Sequence, residues 1–279
     1  MDLSEMKNRL SAMQSKQGKG GSGDKKNNFY KPSAGKQIIR IVPNKFNKKN
    51  PFTELYIHYG IDNKTMISPT NWGDKDPIVE FAKQLRQTND KENWKLAKKL
   101  EPKMRIFAPV IVRGAEHEGV KLWQFGKELY MDFLNLADNE DVGDFTDIAE
   151  GRDIIVTTVG PDVTGTAYNK STIMPRTKQT PLADDKTLIK KLLEEQVNPM
   201  ETFKKYSFEE MKQALQAWLA PEAEEGEIID DEKEEDLEEE VAPWETPKSS
   251  TKKNYSLEVK NKPSKADQFD SLFDDEDED

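Results

Sequence analysis

The stretch that decides the fold runs from Met104 to Phe125: MRIFAPVIVR (104–113), then GAEHE (114–118), then GVKLWQF (119–125). Two runs rich in β-branched and aromatic residues, joined by a short polar segment containing glycine, read as a β-hairpin. A period of two places Arg105, Phe107 and Arg113 on one face of the first strand, and Lys121, Trp123 and Phe125 on one face of the second. Lys127 follows at once.

Outward from the hairpin the same period recurs. Upstream, Lys36–Val42 alternates Ile39 and Ile41 against Ile38 and Arg40. Glu54–Ile61 alternates Leu55, Ile57, Tyr59 and Ile61 against Tyr56 and His58. Downstream, Asp153–Val159 ends at a Pro–Asp turn, and a last strand is expected near 167–174. Helices interrupt the strands. Asp76-Pro77 supplies an N-cap and the residue favoured at the first helical position, ahead of Ile78, Phe81, Ala82 and Leu85. A second helix follows the hairpin on Leu129, Phe133, Leu136 and Ala137. About five strands with inserted helices, lacking regular strand–helix alternation, predict a mainly β, α+β fold with an OB-fold-like five-stranded barrel core over residues 29–182.

Three further regions flank this core. Residues 1–28 begin with Leu3, Met6, Leu10 and Met13 at helical spacing beside Lys7 and Arg9, then pass into a Gly-, Ser- and Lys-rich linker: a basic arm suited to docking on a neighbouring molecule. Residues 183–220 predict two helices packed on the core, the second opened by a capping box at Ser207-Phe208-Glu209-Glu210. Residues 221–279 are a low-complexity acidic tail from which no core is expected, ending in DQFDSLFDDEDED. There Phe269, Leu272 and Phe273, followed by Asp274 and Asp275, resemble apolar anchors of a docking peptide for basic grooves.

The formal net charge of −11 conceals a polarity. Residues 1–220 carry 35 Lys+Arg against 30 Asp+Glu, a net of +5, and residues 221–279 carry 7 against 23, a net of −16. Cysteine is absent, which excludes disulfides, thiol nucleophiles and Cys-based zinc sites, and leaves His58 and His117 as the imidazoles. The N-terminus lacks the order of a signal peptide and no run of apolar residues is long enough to span a bilayer, so a soluble, cytoplasmic protein is expected. The carboxylates Asp138, Glu140, Asp141, Asp144 and Asp147 lie in a Gly-containing loop with no His or Lys partner, and read as a solvated loop. No phosphate-gripping glycine loop, nucleophile elbow or zinc-protease helix is present, and a non-enzymatic role is expected.

What remains is an interleaving of cations with aromatics. A protein that holds unpaired strands needs Lys and Arg to replace counterions and flat side chains on which bases stack. Besides the hairpin set, Trp94, Lys98, Lys99 and Lys103 fall within WKLAKKLEPKMR. Arg40, Lys45, Lys48 and Lys49 surround Phe46, and Tyr168 stands in the turn GTAYNKS beside Lys170. The pattern also suits a hairpin whose Trp123 and Phe125 face the core while the cations solvate the other side, and the sequence leaves these readings open. Single-stranded DNA binding is the leading function. An acidic-tailed scaffold or chaperone and a single-stranded RNA-binding regulator are the alternatives.

On QIIRIVPNKFNKKNPFTELYIHYG, LEPKMRIFAPVIVRGAEHEGVKLWQFGKELY and, more weakly, GRDIIVTTVGPDVTGTAYNKS, the chain resembles the helix-destabilising single-stranded DNA-binding proteins of T-even-like bacteriophages, and especially their relatives in phages of marine bacteria. The resemblance implies an OB-fold core that holds the strand. It also implies an N-terminal arm for cooperative contact, and an acidic tail that recruits replication, recombination and repair proteins in the cytoplasm of the infected host. It implies DNA-binding roles for Arg40, Trp94, Lys98, Lys99, Trp123 and Tyr168. The family's zinc is held by one His and three Cys. His58 matches the His, but SPTNWGDKDPIVEF supplies no Cys, so no cofactor is expected and the Asp76-capped helix with apolar packing is expected to hold that region instead.

Overall fold

A computed structural model describes residues 28–219, apart from Asn89 and Ala167, together with Phe269. The expected N-terminal helix with Lys7 and Arg9, and the tail residues other than Phe269, lie outside the described residues.

Eight strands form one sheet: β1 (Phe29–Tyr30), β2 (Gly35–Ile41), β3 (Thr53–Ile61), β4 (Lys64–Ile67), β5 (Lys103–Val112), β6 (Lys121–Phe125), β7 (Arg152–Val159) and β8 (Lys170–Gln179). Their main order is β1-β6-β5-β2-β7-β8, with β3 paired to both β5 and β4. Every pairing is antiparallel except β1 with β6. β5 organises the whole. One edge meets β3 from Lys103 to Phe107 and β2 from Val110 to Val112, while the other meets β6 from Ile106 to Val110. The expected small open barrel of about five strands is therefore corrected in number, to eight strands, and no pairing among the described residues joins β8 back to another strand than β7. The two-residue β1 and the four-residue β4 were too short to show periodicity. β4 is folded back on β3 by Asp62-Asn63, both at positive φ (51° and 52°), where short polar side chains are tolerated.

Seven α-helices are described: α1 (Pro77–Gln87), α2 (Lys91–Leu100), α3 (Lys127–Asp138), α4 (Pro161–Thr164), α5 (Lys186–Glu194), α6 (Pro199–Thr202) and α7 (Phe208–Leu219). Asp76 caps α1 by accepting the backbone N–H groups of Ile78 and Val79. At α7 the capping box is reciprocal: Ser207 Oγ accepts the Glu210 N–H (3.2 Å) and Glu210 Oε2 accepts the Ser207 N–H (2.8 Å). The segment expected to hold two helices holds three. α2, unforeseen in the lysine-rich stretch, starts at an Asp90 cap and buries Trp94, Ala97 and Leu100 at helical spacing.

The faces of β5 settle the hairpin question. Ile106 pairs with Phe125, Ala108 with Trp123 and Val110 with Lys121, so these residues share a face, whereas Phe107 pairs with Gln124 on the opposite one. On the first face Trp123 and Phe125 join Ile39, Ile41, Ile154 and Val156 in the main core under α3. Phe133 is its aromatic hub, 5.9 Å from Trp123, 5.5 Å from Phe125 and 5.1 Å from Phe52, ring centre to ring centre. On the second face Phe107 packs with Leu55, Ile57 and Ile67. A separate helical layer of α1, α2 and α7 covers Ile61 and Met66 of the β3–β4 hairpin. α5 lays Leu192 with Leu182 and Ala183 against Val42 and Ile111.

Candidate nucleic-acid interface

Two depressions on the described surface bear on the function. One, of about 590 Å³, is lined by Phe46, Asn47, Asn50, Phe52, Thr53, Glu54, Asn198 and Met200, with a carboxylate and no cation in its wall. The other, of about 440 Å³, opens where β1 meets β6 and combines both chemistries that an unpaired strand requires. Its cations are Lys31, Arg105 and Lys170, and its aromatics include Phe29, Tyr59 and Tyr168.

Each side chain is placed by a specific feature of the fold. The β3–β5 register sets Leu55 opposite Arg105, so Tyr59, four residues along β3, emerges on the same face as Arg105. The guanidinium lies 5.4 Å from the centre of the Tyr59 ring. Gln124 of β6 belongs to this face too, and its amide donates to the Tyr59 hydroxyl at 3.3 Å. Across the cleft, Tyr168 and Asn169 come from the turn between α4 and β8, and Lys170 opens β8. There Lys170 Nζ is 3.2 Å from Glu128 Oε2. Glu128 and Asp132 of α3 bring negative charge to the same wall. The floor includes Tyr30 and Trp123, whose rings meet edge to face at 5.6 Å. Tyr30 donates to Gln37, and burial pushes its hydroxyl up to about 12, so it remains protonated.

The candidate residues separate into four groups. Arg105, Tyr168 and Lys170 line the cleft, Arg105 at only 7% exposure with its guanidinium against the Tyr59 ring, and Trp123 and Phe125 lie beneath it. Those two rings are only 1% and 3% exposed, so the expectation that a base stacks on them is corrected: both are core residues. A second group is internal. Arg40 is fully buried, donates from Nη2 to the carbonyls of Asp147 (2.6 Å) and Thr180 (3.0 Å), and lies 3.5 Å from Asp153. Burial lowers its guanidinium to about 10, against the opposing pull of Asp153, so it stays charged as an internal brace. Arg113 donates to Asp153 from Nε (2.8 Å) and to the carbonyls of Leu182 and Pro181. Phe107 is also fully buried. DNA contacts by Arg40 and Phe107 are corrected on the same ground, and Arg113 is committed to holding the 181–182 segment.

The third group sits on the helical layer. Lys99 is exposed and Lys98 half-buried on α2, with Lys103 exposed at the start of β5, but Trp94 is buried beneath Arg86, whose guanidinium is 5.7 Å from its ring. The fourth is the loop after β2, where Lys45, Lys48 and Lys49 are exposed around Phe46, itself 47% exposed. Lys45 Nζ donates to the carbonyl of Glu194 at 2.9 Å. Lys121 pairs with Glu118, and Lys127 is exposed at the first turn of α3. The sequence reading missed Lys31, Gln124 and the open position of Tyr59. The last was legible as an aromatic with a polar tip at the end of an otherwise aliphatic face.

The region where the resemblance implies zinc is built differently. His58 is fully buried, its Nδ1 donating to the carbonyl of Leu100 (2.9 Å) and its Nε2 lying 2.9 Å from Asp76 Oδ2. Ser68 donates to the same oxygen at 2.5 Å. Burial alone would raise the Asp76 carboxyl, but hydrogen bonds from His58, Ser68 and Val79 and the charge of His58 hold it below the usual carboxylate value. With both ring nitrogens engaged and no group of three His, Cys, Asp or Glu assembled among the described residues, these side chains do not fit a zinc ion. Nor is any described helix long and apolar enough to cross a membrane.

A comparison with curated proteins returns no match. A family model, gp32 DNA binding protein like, matches residues 33–220, which span strands β2 to β8, the cleft residues from Tyr59 to Lys170 and helices α1 to α7. The chain therefore belongs to the gp32 DNA-binding-protein-like family, a family of DNA binding and not of catalysis.

Proposed function

We propose that the protein coats single-stranded DNA without sequence preference, seating part of the strand in the cleft between Arg105–Tyr59 and Tyr168–Lys170. The observation that carries this reading is that juxtaposition: a guanidinium over one tyrosine ring on one wall, and a tyrosine two residues from a lysine on the other. Phosphates meet the cations and bases meet the rings, an arrangement that tolerates any sequence because every base has a π-face. The half-buried Lys98 with the exposed Lys99 and Lys103 on one side, and Lys45, Lys48, Lys49 and Lys127 on others, extend the positive surface along which a longer strand runs. Phe46, open beside three of these lysines, supplies a further stacking platform.

The remaining parts of the function follow from the chain's polarity. Lys7 and Arg9 in the N-terminal arm serve contact with the next molecule along the strand. The acidic tail, with Leu272, Phe273, Asp274 and Asp275 near its end, recruits replication, recombination and repair proteins in the infected host cell. The test is a titration of labelled oligo-dT, followed by anisotropy at 50 mM and 200 mM salt. Binding should weaken with a logarithmic salt slope of about −0.7 per phosphate contact. Salt-insensitive binding, or preference for duplex or oligo-U over oligo-dT, would sink the proposal.

A further inference from the structure

One residue of the acidic tail is inside the protein. Phe269 is fully buried, and its ring meets that of Phe81 on α1 edge to face, centres 5.1 Å apart and planes at 82°. It belongs to the hydrophobic cluster of the helical layer, whose members include Phe81, Leu85, Ala97, Leu100, Met211 and Leu215 from α1, α2 and α7. This layer is separate from the main core and from the cleft, so its occupation by a tail residue is not part of the DNA site described above.

We infer that the helical layer is a socket for the chain's own C-terminal segment, and that Phe269 is the latch that closes it. Three observations favour this occupant. The ring is seated there with an aromatic partner at favourable geometry, which an incidental surface contact does not provide. The segment around it, SKADQFDSLFDDEDED (264–279), carries eight acids and one lysine, whereas residues 77–103, which form α1, α2 and their flanks, carry seven basic and four acidic side chains. The anchor and its seat are therefore complementary in charge as well as in shape. Finally, 49 residues separate Leu219 from Phe269, and a flexible chain of that length has a root-mean-square reach of about 35–40 Å, enough to return to the layer it left at the end of α7.

Docking has a consequence for the same segment. It withholds Phe269 from any basic groove on a partner, so that recruitment requires the latch to open. A test therefore reads the position of this one anchor and not the path of the residues around it.

The absence of native cysteine allows a direct test in the full chain. Cysteines introduced at Ser264 and at the exposed Gln87 of α1 take a fluorescence donor–acceptor pair, and transfer efficiency is measured without DNA, so that the outcome is independent of the proposed coat function. Parent protein should show a dominant short-distance population. F269A should shift the docked-to-open ratio by about ten- to hundredfold, as expected for losing one buried aromatic ring, while F273A leaves it nearly unchanged. Hydrogen exchange of α1 and α7 should quicken in F269A alone. Identical distance distributions in parent and F269A would overturn the latch, as would transfer between separately labelled donor and acceptor molecules at the same strength, which would place the anchor in a neighbouring copy. If F269A unfolds α1, the F273A protein titrated with salt decides: loss of the short-distance population only at high salt supports charge-assisted docking, and a population absent at every salt concentration refutes it.

Discussion

His58 Nε2 and Asp76 Oδ2 stand 2.9 Å apart in a site closed to solvent, and that pair fastens β3 to the start of α1. Because the Leu100 carbonyl takes the hydrogen on Nδ1, a proton must lie between Nε2 and Oδ2 for both bonds to persist. The same carboxylate caps α1 and accepts from Ser68. Replacing it by Ala should cost about 3–5 kcal/mol, since a buried partner is left uncompensated. Asp76→Asn keeps a good capping side chain and should cost less. The sign with pH is fixed by the lowered carboxyl: its contribution is full above the unfolded value of about 3.9 and is lost as pH falls through the lower folded value. Urea denaturation should therefore show a parent-to-D76A gap that is constant near neutrality and narrows only in strong acid. A gap that narrows instead between pH 7 and pH 5 would refute the assignment.

Arg40 supports a second prediction through Gly151. A Cβ placed on Gly151 would lie 2.2 Å from Arg40 Nη2 and 2.5 Å from the Asp147 carbonyl oxygen, so the glycine is required by close approach. Gly151→Ala should displace the guanidinium from the Asp147 and Thr180 carbonyls and destabilise the protein by about 1–3 kcal/mol. A thermal melt checks this. A G151A protein as stable as the parent would mean that the brace contributes nothing.

Tyr168 and Trp123 should part company under substitution. Tyr168 is half-buried on a turn, so Tyr168→Ala should leave the melting temperature nearly unchanged and weaken oligo-dT binding by about 1–3 kcal/mol. Trp123, at 1% exposure and packed on Tyr30, Phe125 and Phe133, should on conversion to Ala cost about 3–5 kcal/mol of stability. Unaltered affinity in Y168A would remove one wall of the proposed site.

The contrast between those two residues shows where the sequence is readable. Strand positions, the Asp76 and Ser207 caps and the hairpin were legible because periodicity and capping are local. Which face of a strand is wet is not local. IFAPVIV (106–112) is nearly continuous in apolar residues, the mark of a strand covered on both sides, and it placed Phe107 inside as surely as Trp123. Arg40 looked like a surface cation because its partners, Asp147, Asp153 and Thr180, lie more than a hundred residues away. α2 was hidden by its lysines, which occupy the outer face of a helix whose Trp94, Ala97 and Leu100 point inward. The burial of Phe269 had no sequence signal beyond an aromatic among acids.

Glu128 gives the last prediction, and its sign is opposite to the usual one for a binding site. Its carboxylate lies 3.2 Å from Lys170 Nζ in the wall of the cleft, where it competes with a phosphate for that cation. Both side chains are about half exposed, so the pair contributes little to folding, on the order of 0–1 kcal/mol. Glu128→Gln preserves the shape of the wall and removes the charge. Oligo-dT binding should tighten severalfold at low salt, and the logarithmic salt slope should steepen by up to about 0.7, as one more cation is given over to the strand. The double variant with Lys170→Gln should lose that gain. If E128Q binds as the parent does at both salt concentrations, Lys170 does not meet the strand, and the path of the DNA must leave the cleft before β8.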